Sequence, residues 1–152
     1  MMQRSRGAVG VVCAVVAVAL VAAPVAGGGY KKGSYRGTTE QACGPPDTAR
    51  PCPISFKATK LLVKKLSFAA NVSCDDGSVF MLSTDTPAKA PVNQRGKFRA
   101  LFLPAPGADV GITTEVKGKL ERKRAKGTIT SSGSNGSAAS CSAEVEWSAR
   151  RK

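Results

Sequence analysis

The sequence predicts an all-β domain of about eight antiparallel strands in an up-and-down meander, closed as a barrel or stacked as a sandwich. Three observations predict this class. Apolar and polar residues alternate with a period of two along most of the chain. Turn-forming segments rich in Gly, Pro, Asn and Ser separate the alternating runs. No segment after the first 28 residues carries a convincing helical period.

The candidate strands follow one another at short intervals. The first is Tyr35–Thr39, and the last is Ala139–Arg150. The Ser78–Thr84 run is apolar on both parities, so the sequence leaves its facing open and allows that it is covered on both sides. In the other strands one parity is mostly apolar and is expected to face the core. The expected inward residues include Ile54, Phe56, Ala58, Leu66, Phe68, Ala70, Val72, Cys74, Phe98, Ala100, Phe102, Val110, Ile112, Val116, Leu120, Ala125, Ile129, Cys141, Val145 and Trp147.

Turn chemistry supports this division. Asp75–Ser78 contains a glycine that tolerates a positive φ, and Asn93–Gly96 precedes the Phe98 strand. Pro104–Asp109 contains two prolines and cannot continue a strand. Ser131–Ser137 is expected to be a flexible loop between the last two strands. Hairpins between sequential strands favour the meander, and closure into a barrel would remove its exposed edges.

The first 26 residues are predicted to be a cleaved signal peptide. Arg4 and Arg6 precede an uncharged run, Gly7–Ala23, and small residues with a proline follow in 24–28. A membrane anchor is the alternative, but the run has 17 residues where a span needs about 20. A lipid-modified Cys13 is disfavoured because more apolar sequence follows it. The protein is therefore expected to be secreted or extracytoplasmic.

Cleavage after Ala26 leaves residues 27–152, the length of a single domain. Apolar residues make up 45 of these 126, or 36%, against 42% for the whole chain. The core is therefore lean. Lys and Arg number 21 against 10 Asp and Glu after cleavage, so the mature domain carries a net charge of +11.

Four cysteines remain after cleavage, and an even number in an exported domain predicts two disulfides. Three pairings are possible. Cys43 and Cys52 flank a loop with three prolines and a glycine, which favours their pairing. Cys74 and Cys141 both have inward parity on different strands and are expected to meet across the core. A zinc site is disfavoured because no two cysteines have the usual close spacing and the chain has no histidine.

A series of short motifs also resembles a known group of proteins. The motifs are Gly33–Thr39, Ile54–Lys57, Val72–Gly77, Gly96–Phe98, Gly118–Leu120, Ala125–Ile129, Cys141 and Trp147–Arg150. In this order they resemble uncharacterised small secreted all-β proteins of actinobacteria. The resemblance covers most of Gly33–Lys152, and it implies an all-β fold without any catalytic residue. The segment from Cys43 to Cys52 looks like an insertion relative to that group.

The sequence offers no catalytic constellation. Without histidine, neither a Ser-His-Asp nor a Cys-His arrangement is possible. Asp75 and Asp76 precede a glycine, as in a turn. Glu144 and Glu146 share the outward parity of one strand. No metal ligands, nucleotide-binding motif or cofactor site are recognisable, so the protein is predicted not to be an enzyme.

Clustered basic residues are the feature that best indicates a function. Lys117, Lys119 and Lys126 are expected to face outward, and Arg122, Lys123 and Arg124 to form a hairpin tip. A basic surface that only keeps the protein soluble is the simplest interpretation. The functional alternative is contact with an anionic envelope polymer or lipid surface. Nucleic acid is disfavoured because the few aromatic residues face mostly inward. The protein is expected to be a monomer.

The sequence leaves two other functions open, a small-molecule-binding barrel and a carboxylate-based hydrolase. The barrel mouth could hold a small molecule among Tyr35, Phe98, Phe102 and Trp147, although such aromatics usually belong to the core. A hydrolase that uses carboxylates alone would need two Asp or Glu side chains to converge in a cleft at about 5–10 Å.

Overall fold

The computed structural model describes residues 29–84 and 88–152 as nine antiparallel strands and one short 3₁₀ turn. This confirms the all-β class. The strands are β1 (Gly33–Cys43), β2 (Arg50–Ala58), β3 (Leu62–Cys74), β4 (Val79–Ser83), β5 (Ala88–Pro91), β6 (Lys97–Phe102), β7 (Gly111–Glu121), β8 (Arg124–Ser134) and β9 (Ser140–Arg151).

Two meanders build the sheet. Strands β1 to β4 pair in sequence order, and so do β6 to β9. The meanders are joined by β1 and β9, the first and last strands. On the other side, β5 pairs with the first half of β3, and a bridge between Val92 and Phe98 links the segment after β5 to β6. The path β1-β2-β3-β5-β6-β7-β8-β9 therefore returns to β1 as a small closed barrel.

Strand β5 is the element that the sequence pattern did not predict. It has four residues, Ala88–Pro91, of which three are Ala or Pro. Those residues favour neither a strand nor a period of two. The strand exists because the open edge of β3 lies beside it, where Leu62, Val63 and Leu66 supply the pairing partners.

The inward parity predicted from the sequence is confirmed in the core. Tyr35 and Phe56 stack with ring centroids 5.1 Å apart, and Phe56 also contacts Phe98 and Trp147. Aliphatic side chains of β2, β3 and β5 to β9 complete this cluster. Because aromatic side chains each bury a large apolar area, five rings within a small barrel offset the low apolar fraction of the chain.

Both predicted disulfides are present. Cys43 and Cys52 join β1 to β2, and Cys74 and Cys141 join β3 to β9. Cys74 and Cys141 are directly opposite in the pairing of β3 with β9. They form a second, smaller core cluster with Val72 and Ile112. This disulfide therefore connects the two meanders at the end of the barrel opposite the β7–β8 turn.

The two-sided cover that the sequence allowed for Ser78–Thr84 is wrong. Phe80 and Leu82 pack inward on the second cluster, but Val79 and Met81 are 62% and 59% exposed. Among the described residues β4 pairs only with β3. As an edge strand outside the closed path, β4 has no second layer over its outer face.

The predicted signal peptide, residues 1–26, lies outside the described residues, as does Cys13. Among residues 29–84 and 88–152, no helix is long and apolar enough to cross a membrane.

Candidate functional site

The predicted basic residues lie together on the β7–β8 hairpin. Lys117 and Lys119 of β7 and Lys126 of β8 are exposed on its outer face. Arg122 and Lys123 form the two-residue turn, and Arg124 begins β8. The hairpin is regular, with Lys119 directly opposite Lys126. Alternation and a short turn, both visible in the sequence, are sufficient to place these residues.

Two further cations, Lys97 and Arg99 of β6, belong to the same surface and were missed by sequence analysis. In the register of β6 and β7, Lys97 is opposite Lys119 and Arg99 is opposite Lys117. Both are exposed. Their outward parity around Phe98 was readable from the sequence, but the pairing of β6 with β7 and its register were needed to place them.

Three lysines therefore lie directly opposite one another on neighbouring strands: Lys97 on β6, Lys119 on β7 and Lys126 on β8. We call these three residues the lysine ladder. Residues opposite each other in antiparallel strands have Cβ atoms about 5 Å apart, and like charges there are destabilising. Among the described residues only Lys119 of the three has an ion-pair partner, Glu121 at 3.3 Å. The ladder thus concentrates positive charge at a cost to the fold.

A groove of about 890 Å³ follows the lysine ladder. Arg99, Lys117 and Glu146 line its other side, and we call this depression the cationic groove. Gly118 and Gly127, which are paired, lie between its two sides. A Cβ on Gly127 would stand 1.9 Å from the carbonyl oxygen of Lys117, so no side chain can occupy this position. Because Gly118 and Gly127 have inward parity, bare backbone separates the two rows of outward side chains.

The inner side of the same position is filled by the core. A Cβ on Gly118 would lie 2.5 Å from the Phe98 ring and 2.7 Å from the Trp147 ring. The absence of a side chain at Gly118 lets these two rings pack against the strand. The floor of the groove is therefore the backbone of the glycine pair, and the Phe98 and Trp147 rings pack directly beneath it.

One carboxylate moderates the charge of the groove. Glu115 is paired with both Arg99 and Lys117. The hydrogen bond from Lys117, followed by that from Arg99, holds the pKa of Glu115 below its usual value. The lysine ladder has no such shared counter-charge, so its side of the groove is the more electropositive.

A second, smaller depression of about 640 Å³ lies at the hairpin turn. Gly29, Lys31 and the turn residues line it, and the Lys31 N–H donates to the carbonyl oxygen of Arg122. The segment that precedes β1 therefore joins the domain at its basic end. The acidic turn at Asp75 and Asp76 lies at the far end of β3, beside the Cys74–Cys141 disulfide.

The other candidate residues have structural positions. Tyr35, Phe98 and Trp147 are buried in the aromatic cluster, and Phe102 packs on it from the edge. Glu144 and Glu146 are exposed on β9. Within the described part of the chain, no three His, Cys, Asp or Glu side chains are grouped as metal ligands.

Asp76 is part of a network that joins two loops. It accepts hydrogen bonds from the Ser78 N–H at 2.9 Å, the Asn135 side chain at 2.8 Å and the Ser137 hydroxyl at 3.1 Å. Bonds from Ser78 first, and then from Asn135, lower the pKa of Asp76 strongly. The predicted turn role of Asp76 agrees with this geometry, and the bonds add a tie to the β8–β9 loop.

Comparison with known proteins adds no assignment to this geometry. The chain matches no protein-family model, no curated protein and no solved structure. The cationic groove and its lysine ladder are therefore the observations on which a function can be argued.

Proposed function

We propose that this protein is a non-catalytic binding module that holds an anionic polymer of the cell envelope in its cationic groove. The lysine ladder carries the proposal. Three opposed lysines repel one another in the free protein. An anionic chain laid across them removes that repulsion and releases counterions from both partners.

The expected location of the protein supports an envelope ligand. Residues 1–26 have the pattern of an export signal. The two disulfides are of the kind that persists in oxidising compartments outside the cytoplasm. An exported basic domain meets the acidic polymers and lipids of the envelope before other polyanions.

The exposed chemistry favours a polymer without bases. Every Phe, Tyr and Trp in the described residues is buried or half-buried, and Trp147 is only 3% exposed. Proteins that bind single-stranded nucleic acids stack bases on exposed aromatic rings. The cationic groove offers charge, the stems of lysine side chains and bare backbone, which suit a flexible polymer recognised by its charge.

The test is binding of a labelled linear polyphosphate, followed by fluorescence anisotropy at several salt concentrations. The K119Q/K126Q variant removes two cations of the ladder and should weaken binding about tenfold at low salt. The slope of log K against log salt should fall in magnitude by about 1.5, the counterion release of two contacts. The matched control is R50Q/K64Q, which removes the same charge. Lys64 lies on β3, four strand steps from β8 in either direction round the barrel.

Three outcomes would overturn the proposal. The first is that the wild-type protein does not bind the polymer at low salt. The second is that K119Q/K126Q and R50Q/K64Q lose the same affinity, which would assign binding to net charge alone. The third is that the protein binds anionic lipid vesicles but not the soluble polymer, which would assign the surface to a membrane.

A further inference from the structure

Three arginines outside the cationic groove form a second row of opposed cations. Arg36 of β1 is directly opposite Arg150 of β9, and Arg150 is directly opposite Arg124 of β8. We call them the arginine ladder. All three are exposed on the outer face. Local sequence patterns do not mark Arg36 as part of a basic cluster, and they place Arg124 only in the hairpin tip.

The arginine ladder has no ion pair to explain it. Among the described residues none of its three guanidinium groups is in an ion pair. The nearest acid by register is Glu121, opposite Arg124, and its carboxylate is paired with Lys119. Like charges that face each other across two strand boundaries are again destabilising.

The two ladders adjoin on β8 and together follow the outer surface round half of the closed path of the barrel. Arg124 and Lys126 are successive outward residues of β8, so the ends of the two rows meet on that strand. From Lys97 on β6 to Arg36 on β1, the surface crosses four strand boundaries. At a spacing of about 4.8 Å between strands, the path is about 19 Å long.

We propose that the arginine ladder is a second subsite for the same polymer, and that a single phosphate-bearing chain spans both ladders. This inference rests on the proposed function of the cationic groove. Guanidinium groups donate two parallel hydrogen bonds to a phosphate, whereas lysine acts as a point charge. The arginine ladder therefore orients phosphate groups, while the lysine ladder attracts the rest of the chain.

Linked subsites have a length requirement. A ligand shorter than about 19 Å cannot reach from Lys97 to Arg36, so it contacts only part of the two ladders. A longer chain held at one ladder reaches the other at a high effective concentration, which strengthens binding without any new kind of contact. Affinity per chain should therefore rise with chain length up to about 19 Å and level off beyond it.

The experiment titrates the mature protein, residues 27–152, with linear polyphosphates that are shorter and longer than the path from Lys97 to Arg36. For the long chains, R36Q/R150Q should weaken binding about tenfold. It should also lower the magnitude of the salt slope by about 1.5. In this variant affinity should level off at a shorter chain length, whereas R50Q/K64Q should keep the wild-type dependence on length. Near-ultraviolet circular dichroism of Trp147 checks that each variant retains its core.

The outcomes separate this inference from the proposed function. If K119Q/K126Q weakens binding and R36Q/R150Q does not, the arginine ladder is not a subsite, and the groove proposal stands. If affinity levels off well short of the path length, a single chain does not span both ladders. The variant R36Q/R150Q is also tested with poly-L-glutamate of equal charge. If it loses as much affinity for this polymer as for polyphosphate, the assignment to phosphate is wrong. If the wild-type protein binds no polyphosphate, both proposals fail.

Discussion

The side-chain amide of Gln41 makes two hydrogen bonds to the backbone of Asn71, as a neighbouring strand would. Its Oε1 accepts the Asn71 N–H at 2.8 Å, and its Nε2 donates to the Asn71 carbonyl oxygen at 2.9 Å. The direct pairing of β2 with β3 ends near Phe68. Gln41 lies where the register of β1 shifts, between Thr38 and Ala42, and it fills the resulting gap.

Replacing Gln41 with Met should lower the free energy of unfolding by about 1–2 kcal/mol. The substitution keeps the side-chain length but leaves the N–H and C=O of Asn71 without partners in a half-buried position. Urea denaturation followed by tryptophan fluorescence measures the change. Gln41→Glu should lie between Met and wild type, since it keeps the acceptor and loses the donor. A stability equal to wild type in both variants would contradict the role assigned to Gln41.

The carboxylate of Asp76 should make stability depend on acid pH. Its hydrogen bonds favour the charged form, so its pKa is lower in the folded protein than in the unfolded chain. The stabilisation is therefore complete above the unfolded pKa, about 4, and is lost as the pH falls through the lower folded pKa. Denaturant midpoints measured from pH 7 to pH 2 should fall less steeply for Asp76→Asn. Asp75→Asn is the neighbouring control, because the Asp75 side chain makes none of the hydrogen bonds described for Asp76.

Gly118→Ala should destabilise the barrel by about 1–3 kcal/mol, the usual cost of overpacking a core. The added Cβ would meet the Phe98 and Trp147 rings at 2.5 and 2.7 Å. Gly111→Ala is the control on the same strand, since its nearest atom is the Ser134 hydroxyl at 3.9 Å. Guanidinium denaturation of both variants measures the difference. Equal stabilities would show that the aromatic rings move aside at little cost.

The two disulfides should differ in their contributions to stability. Cys74–Cys141 closes a loop with a sequence separation of 67, and Cys43–Cys52 one with a separation of 9. The entropy model gives about 4 kcal/mol for the first and about 3 kcal/mol for the second. Thermal or denaturant unfolding of C74A/C141A and C43A/C52A provides the comparison. A larger loss in C43A/C52A would mean that local packing at Cys52, rather than loop closure, dominates.

Glu115→Gln should strengthen binding of polyphosphate. The change removes the shared partner of Arg99 and Lys117, and it leaves both cations beside the groove without a counter-charge. We expect about a threefold higher affinity at low salt, which corresponds to the modest energy of an exposed ion pair. Anisotropy titrations of E115Q and E144Q make the comparison, because Glu144 is exposed without an ion pair in the described residues. An equal gain in both variants would attribute the effect to net charge.

Local patterns predicted much of this fold. A period of two identified which side chains are buried in six strands, β2, β3 and β6 to β9, and it paired Cys74 with Cys141 correctly because both have inward parity. Alternation failed for Ser78–Thr84, where apolar residues occur on both parities and only the position of β4 at an edge decides what is exposed. It also gave no signal for β5, whose residues form a strand because β3 lies beside them.

Local patterns along the chain were enough to predict the strand class, the facing of most side chains and the basic hairpin, because these depend on neighbouring residues. The parity of Cys74 and Cys141 favoured their pairing, but only the register of β3 with β9 places them opposite each other. The tertiary structure decided which strands close the barrel and which cations share a surface. Lys97 stands opposite Lys119, and Arg36 opposite Arg150, through pairings between strands far apart in the chain. Their register is set by packing of the whole core. No local pattern contains that information, so both ladders became visible only after the sheet was assembled.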